Sequence, residues 1–145
     1  MGALVGVAAV VASRALVART RWGQALHGAL RDVIVDVPRG EGAVALLALS
    51  AALGEELLFR GAMLPQLAAR LGPLAATAVT AGLFGLLHAS WRRSLLTWSL
   101  TAGVMGVVFA ALYLATGEVL APVAAHAVVN HENLRFLLRH RASTD

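Results

Sequence analysis

The 145-residue sequence contains no cysteine, no lysine and few charged residues of either sign. The absence of cysteine excludes a disulfide framework and a thiolate metal site. Charged residues make up only 14% of the chain, against roughly 25% in ordinary soluble domains. The mean hydropathy is +0.74. This composition excludes an ordinary soluble domain and predicts a membrane protein.

All 12 basic residues are arginines, and the formal net charge is +4 with an isoelectric point near 11.3. A basic balance of this kind is compatible with nucleic-acid binding. In a membrane chain, however, arginines are more simply interpreted as markers of cytoplasmic loops. We therefore expect a lipid bilayer around the chain and no nucleic-acid partner.

Apolar segments of about 20 residues are long enough to cross a bilayer as helices. Five such segments occur, at roughly residues 1–18, 43–70, 73–90, 94–116 and 119–138. The sequence thus predicts an all-α, polytopic membrane helix bundle that forms a single domain over residues 1–145. Between the first two spans, apolar residues recur at helical spacing from Trp22 to Val37. This segment predicts an amphipathic helix in the membrane interface, with a connector helix packed on the bundle as the alternative.

The arginines are distributed unequally between the two sets of loops. One set carries nine of them, at positions 19, 21, 31, 39, 92, 93, 135, 139 and 141, and the other set carries only Arg70. Because cytoplasmic loops are enriched in basic residues, this asymmetry predicts an external N-terminus and a cytoplasmic C-terminus.

The second span carries three charged side chains within six residues, namely Glu55, Glu56 and Arg60. A charge at the bilayer centre costs about 2.5 to 3.5 kcal/mol on insertion scales, so each one needs a reason. Glu56 and Arg60 are four residues apart and can form an ion pair on one helix face. Glu55 points about 100° away and has no such partner on its own helix. It must therefore find a partner on another helix or in a water-filled cavity.

Polar side chains also occur in two other predicted spans. His88 lies in the third span, with Phe84 one turn before it, and His126 and Asn130 share one face of the fifth. Because lipid rejects such groups, the economical packing turns all of them toward one interior site together with Glu55.

Two geometric expectations accompany this site. At about 1.5 Å per residue, Glu55 lies roughly 18 to 20 Å from the inner end of its helix, whereas His88 lies only a few Å from its own. Bringing them together requires helix tilt or a later end to the third span. Pro65, which lacks an N–H, should bend the second helix just past the charged turn.

Each of these residues also has a structural interpretation. Glu56 and Arg60 fit a structural ion pair as well as a supporting catalytic role, and a single buried histidine such as His88 fits a hydrogen-bonded core residue. Glu55, without a local partner, favours function. No Gly-X-Ser-X-Gly elbow or Ser-Lys pairing supports a serine nucleophile. The combination across three spans favours a polar functional site.

Three short motifs occur in order, each in a separate span, and they read Glu55-Glu56-x-x-x-Arg60, Phe84-x-x-x-His88 and His126-x-x-x-Asn130. Together they resemble the signature of the CPBP intramembrane endopeptidases, a family that includes the CAAX prenyl endopeptidases and the bacterial Abi-type proteins. The flanking segments FRGAMLPQLA and TGEVLAPVAAHAVVN are also similar to this family. The resemblance covers roughly residues 42–134.

The resemblance implies an intramembrane endopeptidase that hydrolyses a peptide bond by glutamate-activated water. By family analogy, Glu55 would activate the water together with His88. His126 and Asn130 would position the water or stabilise the oxyanion. The residues expected to support them are Glu56, Arg60 and Phe84.

The family has also been described as metal-dependent. Glu55, His88 and His126 would be enough ligands for a zinc ion with one open position. An HExxH motif is absent, however, so the expected mechanism needs no cofactor, and zinc stays open as the alternative.

The use of arginine without lysine and the abundance of Ala, Leu, Val and Gly indicate a GC-rich, bacterial coding sequence. We therefore expect the chain in a bacterial inner membrane, with a membrane-associated peptide or protein as its substrate. Family members often have more spans before the first motif, so an oligomer or accessory subunit would supply any missing elements. Two other functions stay open. One is a non-catalytic binding or immunity protein of the same fold, and the other is a small transporter or proton-relay subunit, although no paired broken-helix repeat is visible.

Overall fold

A computed structural model describes residues 1–21, 40–89 and 96–142, together with residues 23, 24, 26, 28 and 30. These residues contain helices and turns but no strand. The helices are α1 Gly2–Arg19, α2 Glu41–Glu56, α3 Leu64–Leu71, α4 Pro73–Leu87, α5 Leu96–Thr116 and α6 Leu120–Ala142. A π-helical segment, Leu57–Met63, joins α2 to α3 without a break.

The predicted all-α membrane bundle is confirmed. Three of the described helices are long and apolar enough to cross a membrane, namely Gly2–Arg19, the continuous rod Glu41–Leu71 and Leu96–Thr116. Pro73–Leu87 is apolar but shorter, and Leu120–Ala142 carries several charged residues toward its C-terminus. Five helical rods thus correspond to the five predicted spans, with each boundary within four residues of the expected position.

Two hairpin turns, at Gly72 and Gly117, lie at the same end of the bundle. Both glycines have positive φ angles, of 81° and 71°, which a glycine adopts without steric cost after a helix C-terminus. Residues near the two turns, Leu64, Ala76 and Ala110, pack in one buried cluster. This cluster joins the two helical hairpins at that end.

The first hairpin explains how Glu55 and His88 meet. Glu55 lies 17 residues before Gly72 and His88 lies 16 residues after it, so the two antiparallel rods bring them to the same level. A later end to the third span is not needed, because α4 already ends at Leu87. The sequence analysis compared the distances of Glu55 and His88 from the inner ends of their own helices, which need not lie at the same depth. The shared turn at Gly72 is the better reference point.

The helix is distorted before Pro65 rather than after it, and the bend expected just past the charged turn stays a prediction. Pro65 has no N–H to bond to the preceding turn, and the chain widens to a π-helix over Leu57–Met63. The N–H of Leu64 accordingly bonds to the carbonyl of Phe59, five residues back. The widened segment contains Arg60, which is fully buried. Such π-helical turns occur frequently at functional sites.

Only part of the segment predicted to be an amphipathic helix is described. Arg21, Gly23, Gln24, Leu26, Gly28 and Leu30 are helical. Leu26 is buried, as expected for a helix that packs on the bundle. The other residues of the predicted helix, including Trp22 and all positions from 31 to 37, lie outside the described residues, so the interfacial location stays a prediction.

Small residues allow α4 and α5 to approach closely. A Cβ atom added at Gly85 would lie 2.9 Å from the backbone oxygen of Ser99 and 3.2 Å from the Cα of Gly103. One added at Gly106 would lie 3.0 Å from the Cα of Ala81. Close backbone approach at small residues is a main source of helix association in membranes.

We expect Gly85→Ala to destabilise the protein by about 1 to 3 kcal/mol, because the new methyl group must push the backbone of α5 away. Gly82→Ala is the matched control on the same helix, since nothing lies within 4 Å of its added Cβ. The control should be neutral or slightly stabilising, because alanine favours a helix over glycine. Unfolding midpoints in detergent measure both changes. Equal midpoints for the two variants would contradict the close contact between α4 and α5.

Candidate active site

A cavity of about 650 Å³ lies between the helices, with walls that are mainly apolar. Its volume is in the usual range for a ligand-binding pocket. The four residues predicted to be catalytic all line it, and they are Glu55, His88, His126 and Asn130. The structure therefore brings together side chains from three separate rods, as the sequence predicted.

Glu55 is the central carboxylate of this cavity. Its Oε2 atom lies 3.9 Å from the Nε2 atom of His88 and 3.9 Å from the Nε2 atom of His126. Both separations are too long for a direct hydrogen bond. Oε2 has no hydrogen-bond partner among the described residues, although the Glu55 side chain is 34% exposed. The spacing suits one small polar molecule between the carboxylate and the two imidazoles.

His88 occupies the turn that follows α4, and its ring is fixed on three sides. Its Nδ1 lies 2.8 Å from the carbonyl oxygen of Phe84. Because a carbonyl only accepts, we assign the proton to Nδ1, which leaves a lone pair on Nε2 facing Glu55. The ring also contacts the rings of Phe84 and Trp98, with centroids 4.7 and 5.3 Å away.

His126 is held in the same tautomer by a carboxylate. Its Nδ1 lies 2.8 Å from Oε1 of Glu56, so the N–H donates to the acid and Nε2 again faces Glu55. The imidazole is buried and stacks on Phe109 with a centroid distance of 4.7 Å. Phe84 contacts its edge at 5.8 Å.

Glu56 and Arg60 form the predicted ion pair. Nη1 of Arg60 donates to Oε1 of Glu56 over 2.9 Å, and both side chains are fully buried. Nη2 of Arg60 donates to the carbonyl oxygen of Gly106 over 2.7 Å. The pair is therefore tied to α5 as well as to His126, which a local helical ion pair would not require.

Aromatic rings enclose the Arg60 guanidinium. Its Cζ lies 4.9 Å from the ring centroid of Phe84, 5.4 Å from that of Phe109 and 5.7 Å from that of Phe59. The negative faces of aromatic rings stabilise a buried cation. Phe84, predicted as a supporting residue, thus contacts both histidines and the arginine.

The charged side chains of the site carry one more negative than positive charge. With neutral imidazoles, the charges of Glu55, Glu56 and Arg60 sum to minus one. Arg60 forms the ion pair with Glu56, whereas Glu55 interacts with Arg60 only over a longer distance and makes no direct ion pair with an arginine among the described residues. Such an arrangement can accept a proton from a bound molecule and pass it on.

Three site residues were missed by sequence reasoning. Phe109 stacks on His126, the Gly106 carbonyl holds Arg60, and Trp98 contacts His88. All three lie on α5, a rod to which no motif was assigned. The weak sequence signal for Trp98 and Phe109 was that they are large aromatic residues in a span rich in small residues.

The donor set matches zinc in type, because carboxylate and imidazole are zinc ligands. The Oε2 atom of Glu55 lies 3.9 Å from the Nε2 atom of each histidine. Within the described ranges, no three carboxylate or imidazole side chains are arranged to hold a metal ion. The spacing leaves room for a water-sized molecule between these groups.

The bundle and its buried carboxylate and imidazole groups define an integral membrane protein with a polar site among its helices. A family model described as type II CAAX prenyl endopeptidase Rce1-like matches residues 42–131. The match covers more than half of the chain and includes all three motifs. The chain belongs to this Rce1-like family of CAAX prenyl endopeptidases. Searches of curated proteins and of solved structures gave no significant match.

Proposed function

We propose that this chain is an intramembrane endopeptidase that hydrolyses a peptide bond of a membrane-associated peptide or protein with water activated by Glu55. The observation that carries the proposal is the position of Glu55 Oε2, equally far from the Nε2 atoms of His88 and His126 at 3.9 Å. Family membership supports the same reaction class.

In the proposed reaction, one water molecule lies between Glu55 and the two imidazoles. Its two O–H groups donate to the carboxylate and to one Nε2 lone pair. Glu55 removes a proton while the water oxygen attacks the carbonyl carbon of the substrate. The same proton then passes to the amide nitrogen as the C–N bond breaks. The second hydrogen of the water stays on the attacking oxygen, so the immediate products are a new carboxylic acid and a new amine.

The charge that develops on the carbonyl oxygen needs hydrogen-bond donors. Asn130 lines the cavity with Glu55 and offers an amide N–H. His126 becomes a donor through Nε2 when it takes up a proton, and Glu56 beside its Nδ1 stabilises that charged form. We therefore assign Asn130 and His126 to the oxyanion, and Glu56 with Arg60 to the positioning of His126.

A first experiment compares purified wild-type protein with His88→Ala on a library of peptides with membrane-proximal termini, with and without a chelator. We expect His88→Ala to lower hydrolysis about 100-fold, because a general acid–base partner contributes about this much. His131→Ala is the control, since His131 contacts Glu132 rather than the site residues. Hydrolysis should be unaffected by the chelator.

Other outcomes would identify other functions. Loss of hydrolysis with the chelator would favour a zinc enzyme. Capture of a peptide without cleavage, equal in wild type and variant, would favour a binding or immunity protein. Ion flux in proteoliposomes without cleavage would favour a transporter.

We further propose that the protein lies in a bacterial inner membrane with its N-terminus outside and its C-terminus in the cytoplasm. The arginine asymmetry supports this orientation, and the two hairpin turns at one end of the bundle are compatible with it. The cysteine-free chain suits labelling of single introduced cysteines. A membrane-impermeant maleimide should label Glu118→Cys in intact cells and Gly42→Cys only after permeabilisation. The reverse pattern would contradict the orientation.

A further inference from the structure

Arg14 is an arginine inside the first membrane-spanning helix, Gly2–Arg19. It belongs to none of the three motifs and precedes the family match, which begins at residue 42. A charged residue within such a helix is costly in lipid and usually marks a ligand or ion pathway. The site described so far gives Arg14 no role.

Two neutral groups on α6 hold the Arg14 side chain in place. Its Nη2 donates to the backbone carbonyl of Glu132 over 2.7 Å, and its guanidinium lies 3.6 Å from the ring centroid of Phe136. The carboxylate of Glu132 lies beside other groups, His131 at 3.2 Å and Arg135 at 3.7 Å. Among the described residues, no carboxylate makes a direct ion pair with Arg14. The Glu132 carboxylate attracts it only over a longer distance, so a ligand carboxylate can still pair with it directly.

Arg14 lines the same cavity as Glu55. It is the one arginine among the lining residues of the described chain, and the wall that it shares with Glu55 is mainly apolar. A ligand that fills the cavity therefore meets an apolar surface with the acid–imidazole site in one place and a fixed positive charge in another. Charge complementarity calls for an anionic group on an otherwise apolar ligand.

Residue spacing along α6 gives the distance between the Glu55–histidine site and the Arg14 guanidinium. The partners of Arg14, Glu132 and Phe136, lie six and ten residues after His126 on one helix. At about 1.5 Å per residue this is roughly 9 to 15 Å. An extended peptide advances about 3.3 to 3.6 Å per residue. The span is therefore filled by about three or four residues of extended substrate.

We propose that Arg14 is a specificity-determining residue that binds a carboxylate of the substrate, about three or four residues away from the hydrolysed bond. A guanidinium binds a carboxylate through parallel N–H donors, which gives both affinity and orientation. The carboxylate is either the terminal one or that of an Asp or Glu side chain. The proposal rests on the proposed function, because it takes the Glu55 site as the place of hydrolysis.

The test measures peptide binding in the Glu55→Gln background, where no hydrolysis is needed. Fluorescent apolar peptides are prepared as matched pairs, one pair with a terminal acid or amide and one with an internal Glu or Gln. We expect one pair to show about tenfold tighter binding of its carboxylate member, as a charge-assisted hydrogen bond provides. Which pair does so identifies the source of the carboxylate.

Arg14→Gln should reduce this preference to less than twofold, and Arg14→Lys should retain part of it. Arg19→Gln, a change at an exposed arginine of the same helix, should leave the preference unchanged. A purely structural role for Arg14 would lower stability without changing the ratio within a pair. The ratio therefore separates recognition from packing, and Arg14→Lys keeps a charged variant available if Arg14→Gln fails to fold.

Two results of the peptide measurements would overturn the proposal. One is wild-type-like discrimination in Arg14→Gln, and the other is no discrimination in either pair by the protein that carries Arg14. Loss of anionic phospholipid binding in Arg14→Gln, without any effect on the peptide pairs, would also overturn it in favour of a lipid. Failure of the wild-type chain to hydrolyse any peptide would count against the proposed function alone, because the binding ratios are measured without turnover.

Discussion

We expect Glu55→Gln to abolish measurable peptide hydrolysis while leaving the protein folded, which is the largest functional effect among our predictions. A glutamine keeps the size of the side chain but cannot accept the proton of the attacking water. Loss of a general base typically lowers the rate by about 100- to 10,000-fold. Stability should hardly change, because Oε2 of Glu55 has no hydrogen-bond partner among the described residues and the side chain is 34% exposed.

The matched control is Glu118→Gln, which makes the same chemical change at an exposed carboxylate near the second hairpin turn. Rates and unfolding midpoints are measured for both variants in the same detergent. Glu118→Gln should match the wild type in both quantities. Wild-type rates in Glu55→Gln would exclude Glu55 as the base, and a collapsed midpoint in that variant would show that its role is structural.

Arg60→Met should have the largest effect on stability. Arg60 and Glu56 are both fully buried and joined over 2.9 Å. Removing the cation leaves the carboxylate of Glu56 without its compensating charge in a low-dielectric interior. Breaking a buried pair in this way typically costs about 3 to 5 kcal/mol. Chemical or thermal unfolding of the purified protein measures the loss.

The double variant Glu56→Gln with Arg60→Met separates folding from function. With both charges removed, the position of the pair again has no net charge, and most of the lost stability should return. Hydrolysis should stay low, because the neutral amide that replaces the Glu56 carboxylate no longer gives Nδ1 of His126 a charged acceptor. A double variant as unstable as Arg60→Met would contradict the account of the pair, and one with full activity would contradict the positioning role.

The sequence predicted which polar groups lie together, because polar side chains in membrane-spanning helices must face the interior of the bundle to avoid lipid. Glu55, His88, His126 and Asn130 do line one cavity, and the Glu56–Arg60 pair forms as expected. Helix bounds also followed from apolar length. These predictions depend on local pattern and on the cost of charge in lipid, both of which a single sequence carries.

The contacts from α5 could not be predicted in the same way. Nothing local indicates that Phe109 stacks on His126, or that the Gly106 carbonyl receives a hydrogen bond from Arg60. Both depend on the rotation and separation of helices, which small residues such as Gly85 set through close backbone contact. The proximity of Glu55 and His88 likewise depends on the hairpin at Gly72, which is separated from the two residues by nearly equal numbers of residues.

Arg14 illustrates a different reason for a missed residue. Its position within an apolar span was a signal, but its partners on α6, the Glu132 carbonyl and the Phe136 ring, are more than a hundred residues away in sequence. Only the packing of α1 on α6 brings them together. A residue without a motif is assigned a role only when the tertiary contacts are known.

The most direct test of the central claim is a single-turnover reaction in ¹⁸O-labelled water, with products analysed by mass spectrometry. Wild-type protein and Glu55→Gln are each incubated with the peptide that the library experiment selects. We predict that the wild type yields two fragments, with one ¹⁸O atom in the new carboxyl group, and that Glu55→Gln returns intact peptide. Intact peptide bound equally by both proteins, with no labelled fragment from either, would contradict the claim that Glu55 activates water for hydrolysis.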